Sequence, residues 1–249
     1  MIIKRVKSSF AAEVRGIDLR KKLPQEKIDQ LKDVISKHGV VIIRQQALSQ
    51  REFVRFSKVF GEAEIFPAHP SMKKNPEIFP VSNFPEGGHI YEGRTWHTDS
   101  IDDEYSAPLT LFMAHLLPSK GGDTLFLSTT ELYQSLSTRL KNKIDRLEVV
   151  YRSGSIHPMV KTHPITKEKC LFLHFGLAFG VKGMDLAKGK RLINLLQKKY
   201  INSKNVYRHH YKEGDIVIWD NTKTSHIAGG TPPQFKRIMY RITISGDQS

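Results

Sequence analysis

The sequence predicts a mainly β fold with flanking helices, a sandwich or jelly roll, from three observations. Short apolar runs recur through the second half of the chain, each bounded by Gly, Pro, Asn or Asp turns. Helical periodicity is confined to a few amphipathic stretches. Residues 62–95 are a Pro- and Gly-rich segment, with only Ile78 to Val81 reading as a strand. A loop that long in a compact domain is usually functional or disordered. It runs into Trp96-His97-Thr98-Asp99, so it is expected to form part of a site's wall or lid.

The elements follow in order. Pro24 suits the first turn of a helix carrying Ile28, Leu31, Val34 and Ile35, and Gly39 suits its end. Val40 to Ile43 reads as a buried strand. Ser49 and Glu52 spell a capping box, with Leu48 and Phe53 as its hydrophobic staple, and this second helix is expected to end near Gly61. Leu109 to Leu117 and Thr124 to Leu127 read as strands about the Gly121-Gly122-Asp123 turn. A helical stretch is expected over 131–147, and another carries Leu192, Leu195, Leu196 and Tyr200. The remaining strands are Val149 to Arg152, Leu171 to Phe175, Tyr207 to Tyr211, Ile216 to Trp219 and Arg237 to Ile244.

The 249 residues suffice for a single domain with a substantial core, taken as 1–249. One cysteine, Cys170, excludes an internal disulfide framework and points to a reducing compartment. The N-terminus has no signal-peptide pattern and no run is apolar enough to span a membrane, so a cytoplasmic protein is expected. The net charge of +14 is spread over scattered lysines and arginines. Without an aromatic-basic recognition element, nucleic acid is not the expected partner.

His97 and Asp99 are two apart, and on a strand both side chains point the same way. With a distant His226 they would supply a 2-His-1-carboxylate face, the ligand set of non-haem Fe(II) oxygenases. His-x-Asp alone also reads as a hydrogen-bonding surface pair, since eleven histidines make chance pairs common. His226 follows the strand ending in Trp219-Asp220-Asn221 and is expected on a loop beyond it. Period two puts Arg237 and Arg241 on one face of their strand, opposite Ile238, Tyr240 and Ile242. An inward face would demand anionic partners; an edge strand would turn both arginines to water.

In these motifs the chain resembles the taurine dioxygenase (TauD/TfdA) family of Fe(II)- and 2-oxoglutarate-dependent dioxygenases, which includes the 2,4-dichlorophenoxyacetate dioxygenases. The likeness is carried by Trp96-His97-Thr98-Asp99, Pro118 with Gly121-Gly122-Asp123-Thr124, and His157-Pro158 with Thr162-His163-Pro164. It continues through Trp219-Asp220-Asn221, His226 and Arg237-Ile238-Met239-Tyr240-Arg241, and takes in Gly16-Ile17-Asp18-Leu19 and Gly39-Val40-Val41. It implies a double-stranded β-helix, a cupin-like jelly roll. His97, Asp99 and His226 would bind the iron, and Thr124 and Arg237 would hold the distal carboxylate of 2-oxoglutarate, with O2 as second cosubstrate. Arg241 would meet an anionic group of the prime substrate. A carboxylate at Asp99 favours oxygenation, because related halogenases leave that ligand position to chloride.

The implied reaction hydroxylates a small or medium organic anion, a carboxylate or sulfonate, releasing succinate and CO2. A nucleic-acid dealkylase of the same iron chemistry and a desaturating or tailoring oxygenase are the alternatives. The taurine enzymes carry a substrate-contacting His where this chain has Phe66, and an Asn where it has Gly93, which argues against taurine itself. Phe66, Ile101 and Phe175 would add apolar contacts, and His69 would face the pocket from the long loop. His174 and His115 read as core residues, His157 and His163 as structural, and His209-His210 as a solvated strand end. Related enzymes are often homodimers or homotetramers.

Overall fold

A computed structural model describes residues 1–6, 9–65, 73–90, 93–101, 107–202 and 205–246. The chain opens with strands β1 (Ile2–Arg5) and β2 (Ala11–Arg15), then helix α1 (Gln25–His38), β3 (Val40–Ile43) and α2 (Gln50–Ser57). Strands β4 (Phe79–Ser82), β5 (His89–Ile90), β6 (Leu109–Leu116) and β7 (Thr124–Ser128) follow, then α3 (Thr129–Ser135) and α4 (Thr138–Ile144). Next come β8 (Glu148–Tyr151), β9 (Ile156–Pro158), β10 (Val160–Thr162), β11 (Lys169–Leu171), β12 (Ala178–Val181) and α5 (Leu186–Tyr200). The last strands are β13 (Val206–His209), β14 (Ile216–Asp220), β15 (Thr224–Ala228) and β16 (Ile238–Thr243).

The major sheet has the order β1-β2-β3-β14-β6-β16-β4-β5. Facing it is a three-stranded sheet, β13-β7-β15. Strand parity assigns the two faces of the major sheet. Val41, Ile43, Ile216, Ile218, Leu111, Tyr240 and Ile242 point outward and pack under α1 and α2 through Leu31, Val34, Ile35 and Phe53. Val40, Ile42, Val217, Trp219, Phe112 and Met239 point inward, where Phe126 of the minor sheet meets them. A third cluster lies beyond the minor sheet, where α3 and α5 cover Leu127, Leu132, Val149, Leu171 and Leu192. This is the expected jelly roll with flanking helices.

The helix signals at the start hold closely. Gly39 caps α1 with φ +81°, its amide bonded to the Ile35 carbonyl. The capping box is complete: Ser49 and Glu52 bond reciprocally at the start of α2, and Leu48 and Phe53 both join the outer core. Helix α2 ends at Ser57, short of Gly61. The single helical stretch expected over 131–147 is two helices, because the chain extends at Leu136 and Ser137 caps a new start. The strand expected to reach Phe175 stops at Leu171.

Candidate active site

The site lies between the two sheets, and strand parity delivers most of its side chains. On β7 the inward positions are Thr124 and Phe126, on β15 His226, on β14 Trp219, and on β6 Thr110 and Phe112. On β16 they are Met239 and Arg241, with Arg237 just before the strand on the same face. Arg237 and Arg241 are each only 9% exposed, so the inward reading of that strand holds. His226 belongs to β15 itself rather than to a loop beyond β14, and His226 and Phe126 are register partners. Opposite β15, the backbone of His97 closes a reciprocal antiparallel bridge. The His97 amide donates to the His226 carbonyl at 3.0 Å and the His226 amide to the His97 carbonyl at 2.7 Å.

That bridge sets two imidazoles side by side, ring centroids 4.0 Å apart. His97, Asp99 and His226 are all buried, and one ligand atom from each lies within 4.8 Å of the others. The donor set fits a divalent iron. The His97 Nδ1 lies 2.7 Å from the Thr95 carbonyl, an interaction that needs a proton on Nδ1 and leaves the lone pair on Nε2. His226 Nδ1 is buried without a hydrogen-bond partner among the described residues.

Asp99 is the anion of the group. Burial opposes its ionisation, but His226, Arg241 and His97 beside it and a hydrogen bond from Thr110 outweigh burial and hold the carboxyl at about 2. Burial and neighbouring His97 hold His226 neutral, down to about 3. At neutral pH Asp99 is therefore a carboxylate and His226 a neutral imidazole, the states that binding of a divalent cation would require.

The carboxylate is oriented by groups that the motifs did not assign. Thr110 Oγ1 donates to Asp99 Oδ2 at 2.8 Å, and Trp219 Nε1 at 3.2 Å. Asn221 ties these together. Its Oδ1 accepts from the Asp99 amide at 3.2 Å and from Trp219 Nε1 at 3.1 Å, and its Nδ2 donates to Thr110 Oγ1 at 3.0 Å. Trp219 and Asn221 stand in the Trp-Asp-Asn run that the sequence displays. Thr110 carries no sequence signal, being one threonine within an apolar strand.

Behind Asp99 lies Arg241, whose Nη1 is 3.5 Å from Asp99 Oδ1 and whose guanidinium sits over the Phe79 ring at 4.6 Å. Arg237 is different. It donates from Nε to the Gly122 carbonyl at 2.9 Å and has no ion-pair partner among the described residues. It borders a cavity of about 240 Å³ together with Ser82, Asn83, Arg94 and Gly122. Gly122 is required there: its φ is +78°, and a Cβ would come within 2.7 Å of Pro118 and 3.1 Å of Arg237 Cδ. A larger groove of about 650 Å³, between Gln50, His115 and Tyr240, lies on the outer face and contains none of these groups.

The remaining expected residues divide. Gly93 accepts from the Ala228 amide at 3.0 Å and so borders β15. Ile101 is 1% exposed and belongs to the core cluster under α3 and α5. Phe175 packs against that same cluster, its amide bonded to the Trp96 carbonyl at 3.0 Å. Phe66 and His69 lie outside the described residues. Ser82, Asn83 and Ile90 of the segment before His97 line the cavity, so that much of it is wall.

Three histidine readings change. His174 is buried, as expected, but not in a strand, and its ring is 5.2 Å from His97. His115 is exposed and stacks on Tyr240, at the end of β6 where the register against β16 slips. His209 is fully buried beside Asp215, while His210 alone is at the surface. His163 is structural, with Nε2 2.8 Å from Asp220.

A jelly roll with a buried face of two histidines and one carboxylate defines the non-haem iron oxygenase class of site. The family of the taurine catabolism dioxygenase TauD, TfdA matches residues 3–243. The sulfate ester dioxygenase of Pseudomonas putida, dependent on alpha-ketoglutarate, is 28% identical, over 97% of this chain and 88% of its own. The 2,4-dichlorophenoxyacetate dioxygenase of Cupriavidus pinatubonensis is 26% identical, over 96% and 95%. A taurine dioxygenase structure from Burkholderia xenovorans superposes with a TM-score of 0.89 at 26% identity, covering 99% of this chain and 91% of that one. The chain belongs to the TauD, TfdA family, and it is an Fe(II)- and 2-oxoglutarate-dependent dioxygenase.

Proposed function

We propose that this enzyme hydroxylates a small or medium organic anion, with a carboxylate, sulfonate or sulfate ester as the anionic group. On this reading residues 1–249 act as one domain. His97, Asp99 and His226 hold the iron, and Thr124 and Arg237 hold the distal carboxylate of 2-oxoglutarate. Iron, 2-oxoglutarate and O2 together supply the oxidising chemistry and release succinate and CO2. The observation that carries the reading is Arg237, a buried guanidinium facing a cavity with no ion-pair partner among the described residues. Burial opposes that charge, Asp123 on the same cavity offsets part of it, and an anion bound in the cavity would offset more.

The protein's own residues then orient and shield. Arg237 would hold one end of the cosubstrate and so restrict how it can lie in the site. Arg241, with Nη1 3.5 Å from Asp99 Oδ1, offers a second guanidinium to an anionic substrate. Relatives acting on sulfate esters and on a phenoxyacetate support an anion there. Phe79 under that guanidinium keeps water from one of its faces.

Anaerobic addition of Fe(II) and 2-oxoglutarate should give a weak visible charge-transfer band that is lost in His97→Ala and Asp99→Ala. An unchanged band in both variants would reject the ligand set. Succinate release across a panel of carboxylates, sulfonates and sulfate esters should reveal at least one anion that couples turnover to hydroxylation. Turnover confined to neutral substrates would sink the role given to Arg241.

A further inference from the structure

Tyr211 touches both members of the anchor assigned to 2-oxoglutarate, and no sequence motif marks it. Its hydroxyl donates to Thr124 Oγ1 at 3.0 Å, and its ring lies 5.7 Å from the Arg237 guanidinium. A threonine hydroxyl has one proton and two lone pairs. Accepting from Tyr211 occupies a lone pair and leaves the Thr124 proton to be donated. Thr124 is 4% exposed and its hydroxyl makes no other hydrogen bond among the described residues. A buried O–H of that kind wants an acceptor.

The tyrosine is itself firmly supported. The His209 ring meets it edge-on at 4.5 Å. His209 is fully buried, with Nε2 3.3 Å from Asp215 Oδ2 and Nδ1 3.1 Å from the Tyr207 hydroxyl. Asp215 in turn is bound by Arg44 and by the Lys212 amide. Burial pushes the Tyr211 phenol up to about 12, so it stays protonated, and a donor, throughout the neutral range.

We propose that Tyr211 is a positioning residue for the cosubstrate: its hydroxyl commits the Thr124 oxygen as acceptor, so that the Thr124 proton points at the distal carboxylate held by Arg237. The inference rests on the reading that Thr124 and Arg237 hold 2-oxoglutarate.

The test is anaerobic calorimetry of 2-oxoglutarate binding to the Mn(II)-loaded protein. Tyr211→Phe should weaken 2-oxoglutarate about five-fold, the size of one neutral hydrogen bond, with Mn(II) affinity unchanged. Because Tyr211 acts through Thr124, the same change in a Thr124→Val background should add less than about two-fold. In a Thr124→Ser background, which keeps the hydroxyl, the full loss should return. An unchanged affinity in Tyr211→Phe, or an equal loss in the Val and Ser backgrounds, overturns the proposal; a merely structural tyrosine would give that equal loss and lower Mn(II) affinity as well. Arg237→Ala separates the two levels. If it leaves 2-oxoglutarate affinity intact, the anchor reading itself is wrong. If it weakens binding while Tyr211→Phe does not, only the role of Tyr211 falls.

Discussion

At the residue scale, the two arginines do different work although they share one face of one strand. Arg241 has Asp99 beside it, whereas Arg237 meets a carbonyl and an aromatic ring and, among the described residues, has no ion-pair partner. Arg237→Ala should therefore cost 2-oxoglutarate roughly 2 kcal/mol or more, about thirty-fold in affinity, measurable by calorimetry. The same substitution relieves a buried charge, so thermal stability of the protein without cosubstrate should hold or rise. Asn221 is the residue whose small size hides its reach. Asn221→Ala removes the acceptor for the Asp99 amide and the tie to Thr110, and should lower Fe(II) or Co(II) affinity by about ten-fold or more, read by metal titration. The buried cluster of His97, Asp99 and His226 and both arginines were legible as residue types at motif spacing. Thr110 and Tyr211 were not, because hydrogen bonds to residues 11 to 111 and 87 positions away in the chain leave no local pattern.

At the scale of elements, the best-read parts are those whose signals are local. The capping box of α2 and the glycine after α1 are decided within a few residues. Ser49→Ala should destabilise the fold by about 1 kcal/mol in a denaturant titration. Gly39→Ala should cost more, about 1–2 kcal/mol for the left-handed backbone alone. Its Cβ would also press Thr224 Cγ2 at 3.0 Å, on the strand that carries His226. Strand β15 escaped the sequence reading for a physical reason. Its inward residues are Thr224, His226 and Ala228, since that face is the site rather than the core, so apolar alternation is absent. Leu171 to Phe175 failed in the opposite way. The run is apolar because it is buried under α3, yet burial does not require a strand there. The helix pair at 129–144 was fused because both halves are amphipathic and the break at Leu136 is itself buried.

At the scale of the molecule, no helix among the described residues is long and apolar enough to cross a membrane. The net charge of +14 includes one lysine that folding makes uncomfortable. Burial lowers Lys161 to about 8, with its ammonium 3.8 Å above the Phe172 ring. Its folded value lies below its unfolded one, so between pH 8 and 10.5 the unfolded chain binds more protons there. This group's contribution to stability must then rise with pH across that window, and its cost is fully present below it. Lys161→Met should flatten the difference in denaturation midpoint between pH 7.5 and 10, and an unaltered pH dependence would refute the assignment.

The bridge between His97 and His226 has a consequence for the whole chain. It fastens backbone to backbone two segments separated by half the sequence. On the proposed ligand set an ion would bind across the same pair, so in topological terms it would be a removable cross-link closing a very long loop. The entropy lost in closing such a loop grows only slowly with length, but it must be met in full before the ion's ligands come together. Metal release should therefore speed hydrogen exchange at the His97 and His226 amides and at the strands on either side together, as one cooperative unit, rather than loosening a local pocket.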